Sequence, residues 1–141
     1  MITYNAEEIN MPVFPKRKIS IWIKLVAEKY NKRVGDISYI FCSDKKILEV
    51  NNEYLKHDYY TDIITFDYSE NDVISGDIFI SVDTVSTNAE KFGQTFTNEL
   101  YRVIIHGILH LCGIDDKAVG ARTIMENNED DALKDLKCLI H

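Results

Sequence analysis

The part of this 141-residue chain best equipped for chemistry is a pair of histidines with a carboxylate close behind. It reads His106-Gly107-Ile108-Leu109-His110-Leu111-Cys112-Gly113-Ile114-Asp115-Asp116. On an α-helix, residues four apart point only about 40° from one another around the axis, so His106 and His110 share a face and can grip one ion. Gly113 suits the left-handed conformation that ends a helix and turns the chain back. That return brings Asp116 towards the imidazoles as a third ligand, with Asp115 as its competitor. Two neutral nitrogens, one carboxylate oxygen and an open position make a zinc site of the catalytic type, whereas structural zinc has a closed, sulfur-richer shell. The same donors admit manganese, nickel or iron. Such an ion activates water for hydrolysis. Cys112 points another way from His110 and is expected in the core.

The spacing resembles the metzincin protease pattern H-E-x-x-H-x-x-G-x-x-H. First ligand, second ligand, helix-ending glycine and third ligand all coincide, which favours Asp116 over Asp115. The glutamate that serves those proteases as general base is Gly107 here, so a peptide-cleaving site would lack its water activator.

The elements that must hold this helix alternate along the chain. Ile2 to Asn5 reads as a short strand. Lys18 to Tyr30 reads as an amphipathic helix with Ile19, Trp22, Ile23 and Val26 at helical spacing. Asp36 to Cys42 is strand-like, and Ser43 or Asp44 then caps a helix with Ile47, Leu48, Val50, Tyr54 and Leu55 on its apolar face. Strands are expected at Asp62 to Asp67 and Asp77 to Val82, joined by a hairpin-like loop over Tyr68 to Gly76. Asp83 is expected to cap a short helix to about Phe92, stopped by Gly93. Thr97 and Asn98 open the histidine helix, and an acidic helix follows from about Val119 to Cys138. The sum is a small α+β or α/β domain. We adopt α+β: one domain over residues 1–141, a mixed sheet of about four strands, several helices, and the metal site on a central HxxxH helix.

Composition suits a globular core, with 45% hydrophobic and 28% charged residues. The net charge of -7 is uneven: residues 1–56 hold ten basic and seven acidic side chains, the remainder six basic and sixteen acidic. Net charge alone therefore does not predict a nucleic-acid partner, and any such binding would draw on the basic first third. Three cysteines without a CxxC pair argue against a disulfide framework. With no visible signal peptide and no apolar stretch long enough to span a bilayer, the expectation is a cytoplasmic protein with no membrane partner.

The histidine segment also resembles the YbeY-type metal-dependent endoribonucleases, whose signature is H-G-x-L-H-L-x-G-x-D-H. His106, Gly107, Leu109, His110, Leu111 and Gly113 match it. Upstream, Asn51 and Tyr54, then Thr61-Asp62-Ile63-Ile64-Thr65-Phe66, are similar to that family's N-x-x-Y and P-T-[DN]-V-L-S-F, and Gly76-Asp77-Ile78 to its G-D-I. The resemblance is specific from Asn51 to Asp116 and extends more weakly over both flanks. It implies a zinc-dependent, single-strand-specific endoribonuclease in late rRNA processing. It further implies maturation of the 16S rRNA 3′ end, ribosome quality control, and the small subunit or its assembly factors as partners. Two departures stand out. The family's third histidine is Asp116, and the arginine that commonly follows the matched tyrosine is Leu55, for which Lys56 or His57 are the nearby substitutes.

Lys16, Arg17, Lys18, Lys24, Lys32, Arg33 and Lys56 are the candidate phosphate contacts, foremost Lys16, Arg17, Lys18 and Lys56. The acidic last helix is expected to stay away from RNA and to face solvent, with a protein partner as the alternative. Thr61 and Asp62 are read as capping or shaping the entrance to a strand, and Asp77 as fixing a turn; the resemblance implies that they line the cleft without being catalysts. The competing readings are a metzincin-like metalloprotease and a non-catalytic ribosome-assembly protein in which the metal only stabilises the fold.

Overall fold

A computed structural model describes residues 1–55, 61–114 and 118–140. Lys56, His57, Asp115 and Asp116, each singled out above, lie outside the described residues. The order of elements is β1 (Ile2–Ala6), α1 (Lys16–Lys29), β2 (Arg33–Cys42), α2 (Asp44–Leu55), β3 (Ile63–Asp67), β4 (Val73–Ser81), α3 (Val82–Lys91), α4 (Phe96–Leu111) and α5 (Ala121–Ile140). The strands form one mixed sheet in the order β1-β2-β4-β3. β1, β2 and β4 run parallel, and β3 pairs antiparallel with β4. The fold is α+β, as expected.

Successive strand residues point to opposite faces, and the core divides accordingly. Ile37, Tyr39, Phe41, Ile78 and Ile80 join Trp22, Ile104 and Ile108 in the main core beneath α1, α4 and α5. The alternate residues Ile64, Phe66 and Phe79 meet Ile47 and Val50 of α2 on the other face. Two buried polar groups fix the main stack. The Tyr39 hydroxyl donates to the Ile104 carbonyl at 2.9 Å, and Trp22 Nε1 donates to the Ala132 carbonyl at 2.8 Å.

Two expectations about the hairpin change. β4 starts at Val73, so half of the expected loop is strand; a turn at Asn71, with φ of 54°, tightens the hairpin. Asp77 accordingly lies within β4 opposite Phe66 and not at a turn, and its carboxylate accepts from the Tyr68 hydroxyl. Gly76 is required there by close approach, because a Cβ would lie 2.3 Å from the Phe66 carbonyl oxygen. Polar turn-forming residues hid this strand start: Ser75 and Gly76 interrupt the apolar alternation.

The helix caps also move. Ser81, not Asp83, caps α3 by accepting from the Thr84 N–H, and Thr95, not Thr97 or Asn98, caps α4 by accepting from the Asn98 N–H. The reason for the first is visible in the register. β2 and β4 end side by side at Cys42 and Ser81, so α2 and α3 begin next to each other. Asp83 there accepts the Asp44 N–H at 2.9 Å, while Asp44 accepts from the Ser81 and Thr84 hydroxyls. The two helix starts thus cap one another, each carboxylate satisfying donors at its neighbour's open N-terminus. Among the described residues no helix is long and apolar enough to cross a membrane.

Candidate active site

α4 is the central helix, packed on β3, β4, α1, α3 and α5. Its sequence is amphipathic with a wide apolar face, and Leu100, Val103, Ile104, Ile105, Ile108 and Leu109 are buried. Gly107 belongs to this core face. A Cβ at Gly107 would sit 3.1 to 3.3 Å from side-chain carbons of Ile78 and Ile63, so the glycine lets the helix lie close on the sheet. A longer side chain at this position would be driven into the sheet, which removes the protease-type general base for a physical reason. At its end, α4 closes as anticipated on Gly113, whose φ is 99°. The Gly113 N–H reaches the His110 carbonyl and the Ile114 N–H the Leu109 carbonyl, the paired bonds of a Schellman motif. Cys112 packs against the main core, and burial pushes its thiol up to about 11, a poor setting for a thiolate ligand.

The opposite face of α4 carries Glu99, Arg102, His106 and His110, at helical spacings of three or four. All four line one cleft of about 920 Å³, as do Thr61 and Asp62 before β3, Asn51 of α2 and the inner face of α5. His106 and His110 therefore do share a face and a cleft, as their spacing requires. Thr61 shapes the entrance to β3, its hydroxyl donating to the Ile63 carbonyl.

The organising group is Glu129 of α5, which is 5% exposed. Its Oε2 lies 2.7 Å from His106 Nδ1, and its Oε1 accepts from Arg102 Nη1 at 2.7 Å. Arg102 Nη2 donates in turn to Asp130. A carboxylate on one ring nitrogen fixes the tautomer and orientation of an imidazole, so His106 would ligate a metal through Nε2. This arrangement, with a second histidine on the same face, fits a divalent ion. So does the charge of the cleft: Asp62, Glu99, Glu126, Glu129 and Asp130 face only Arg102 and Arg122 as permanent cations among the described residues.

Two of these carboxyls are perturbed. Burial pushes Asp62 above the ordinary aspartate value, and the facing His106 partly offsets this. Burial also raises Glu99, assisted by repulsion from Asp62 and opposed by Arg102.

Of the foremost expected phosphate contacts, Lys56 lies outside the described residues and the other three are placed away from the cleft. Lys16, Arg17 and Lys18 are exposed at the start of α1, Lys16 with its Nζ 4.9 Å from the Phe14 ring centre, and none of the three lines the cleft. Among the described residues the cations that line the cleft are Arg102 and Arg122, neither of which was expected there. The solvent-facing role expected for the acidic last helix is corrected too: α5 supplies Arg122, Met125, Glu126, Glu129 and Asp130 to the cleft wall. A signal existed, since Glu129 interrupts the stripe Met125, Ala132, Leu136 at core spacing on that helix. A lone carboxylate in an apolar stripe needs a partner.

Comparisons with known proteins identify the family. A family model described as Endoribonuclease YbeY matches residues 2–137. An endoribonuclease YbeY from Parabacteroides distasonis is 66% identical over 132 residues, spanning 94% of this chain and 93% of the relative. One from Bacteroides thetaiotaomicron is 63% identical over 132 residues, spanning 94% and 96%. The solution structure of TM1509 from Thermotoga maritima matches with a TM-score of 0.65 at 27% identity, over 98% of this chain and 93% of that one. On these matches and this fold, the chain belongs to the endoribonuclease YbeY family.

Proposed function

We propose that this chain, an endoribonuclease by family, cleaves single-stranded RNA with one divalent ion, zinc, held by His106, His110 and Asp116. Its substrate is rRNA late in processing, at the 3′ end of the 16S species, in the cytoplasm and in company with the small subunit or its assembly factors. The same activity serves ribosome quality control. The observation that carries the metal reading is the Glu129 carboxylate 2.7 Å from His106 Nδ1, in the cleft that His110 also lines.

Zinc bound there would supply Lewis acidity at a phosphoryl oxygen of the scissile linkage. The chain's own residues do the positioning. Glu129 holds the His106 ring and, through its other oxygen, the Arg102 guanidinium, so both present fixed geometry to the cleft. Among the described residues Arg122 pairs with Glu126, 3.2 Å away on the same exposed helix face, an interaction weak enough to give way to a phosphate. In this reading Arg102 and Arg122 share the task of the family arginine replaced by Leu55. Gly107, packed on the sheet, weighs against the protease alternative.

The test is to quantify bound metal and to assay single-stranded RNA and casein with the wild type, His110→Ala and Asp116→His. RNA cleavage that disappears on chelation and in His110→Ala, with Asp116→His active, supports the proposal. Cleavage that survives metal loss would sink it. Casein cleavage would revive the protease, and bound metal without either activity the non-catalytic role.

A further inference from the structure

The cleft has a second end that the metal reading leaves unused. Phe92 terminates α3, its backbone N–H donating to the Asn88 carbonyl at 2.9 Å, and its side chain is 55% exposed on the wall of the same cleft. Lys91 Nζ lies 5.6 Å from the ring centre. Asn88, one turn earlier, and Gln94, just beyond the helix, line the cleft beside it. Their amides offer both donors and acceptors, the complement of a nucleobase edge. The carbonyls at the C-terminal end of α3 carry a partial negative charge that offsets Lys91, so this end draws phosphate less than the Arg122 end does. A planar, uncharged group with N–H donors suits this end, as anionic groups suit the end with Arg122.

We propose that Phe92 is the floor of a nucleobase subsite. One unstacked base of the RNA lies on its ring, with Lys91 at the other ring face and Asn88 and Gln94 at the base edge. A base inside a duplex has both faces stacked and its pairing edge occupied, so only a single strand can fill the subsite. The inference rests on the RNA-cleaving function proposed above and assigns part of its strand selectivity to this aromatic ring.

The experiment compares KM and kcat of the wild type, Phe92→Leu and Phe92→Trp on a single-stranded oligoribonucleotide. It then repeats them with one abasic residue walked past the cleavage position. Base–aromatic stacking predicts a KM about tenfold higher for Phe92→Leu, with the larger share of the change in KM and not in kcat. Phe92→Trp should retain the wild-type KM. At one abasic position the wild type should lose the same factor and Phe92→Leu should lose nothing further. An unchanged KM for Phe92→Leu, or losses that add at every abasic position, would overturn the subsite while leaving the nuclease reading intact. A wild type that does not cut single-stranded RNA would instead remove that reading, and the subsite with it. Because Phe92 is half-exposed, matched melting curves for the three proteins are expected; a shifted Phe92→Leu curve leaves the decision to the Trp variant and the abasic series.

Discussion

The two faces of α4 obey different rules. On the core face, residues are chosen by volume: Ile104, Ile105 and Ile108 fill space, and Gly107 is where no volume is left. On the cleft face, residues are chosen by partner. Arg102 and His106 meet the two oxygens of one carboxylate, and that carboxylate comes from α5. The core face can therefore accept another apolar residue of similar size at most positions. At Arg102 and His106 the cleft face cannot accept a change of charge without releasing something on a second helix. One helix thus carries a generic packing surface and a specific polar one.

The largest effect should come from confusing the two. Gly107→Glu puts a charge against Ile78 and Ile63, and its unfolding free energy in urea should fall by about 3 kcal/mol or more. A wild-type urea midpoint would break the distinction, since it would mean the glutamate reaches the cleft. Next comes Glu129→Gln, which keeps the shape but removes the shared charge. Zinc affinity, measured by competition with a chelating dye, should fall about ten- to a hundredfold, as losses of such supporting carboxylates do. An unchanged affinity would mean that Glu129 merely fills space.

The smallest effect tests the electrostatics of the cleft face alone. Burial raises Glu99 above the ordinary glutamate value, so the folded state holds this proton more tightly than the unfolded chain. Stability is then lost as pH rises through the window between the ordinary and the raised value, and the loss persists above it. Glu99→Gln should consequently melt slightly higher than the wild type at neutral pH. That advantage should shrink and close as pH falls through the same window. A difference that grows on acidification would have the wrong sign.

The same contrast explains what the sequence made legible. His106, His110, Gly107 and Gly113 all lie within one helix and its C-terminal motif, where periodicity and a single glycine dictate geometry. Four strands and five helices were likewise readable, because each carries its own apolar period. What stayed hidden depends on contacts between elements. Glu129 is 23 residues from His106, on a helix whose acidic composition reads as a solvated surface. The α3 cap went to Ser81 because Asp83 is engaged by the start of α2, a neighbour that only the β2–β4 register supplies. The start of β4 was obscured by Gly76, which looks like a turn residue and instead sits where the Phe66 carbonyl leaves no room for a Cβ.

The Glu129 bridge also has a consequence in time. Translation makes both histidines before it makes the carboxylate that orients one of them. A chain truncated ahead of α5 would carry the HxxxH helix without the Glu129 carboxylate that meets His106 and Arg102, and without the wall that bears Arg122 and Met125. In such a molecule the histidine pair would exist as sequence but without the wall that faces it. The last described helix is in this sense the step that arms the protein.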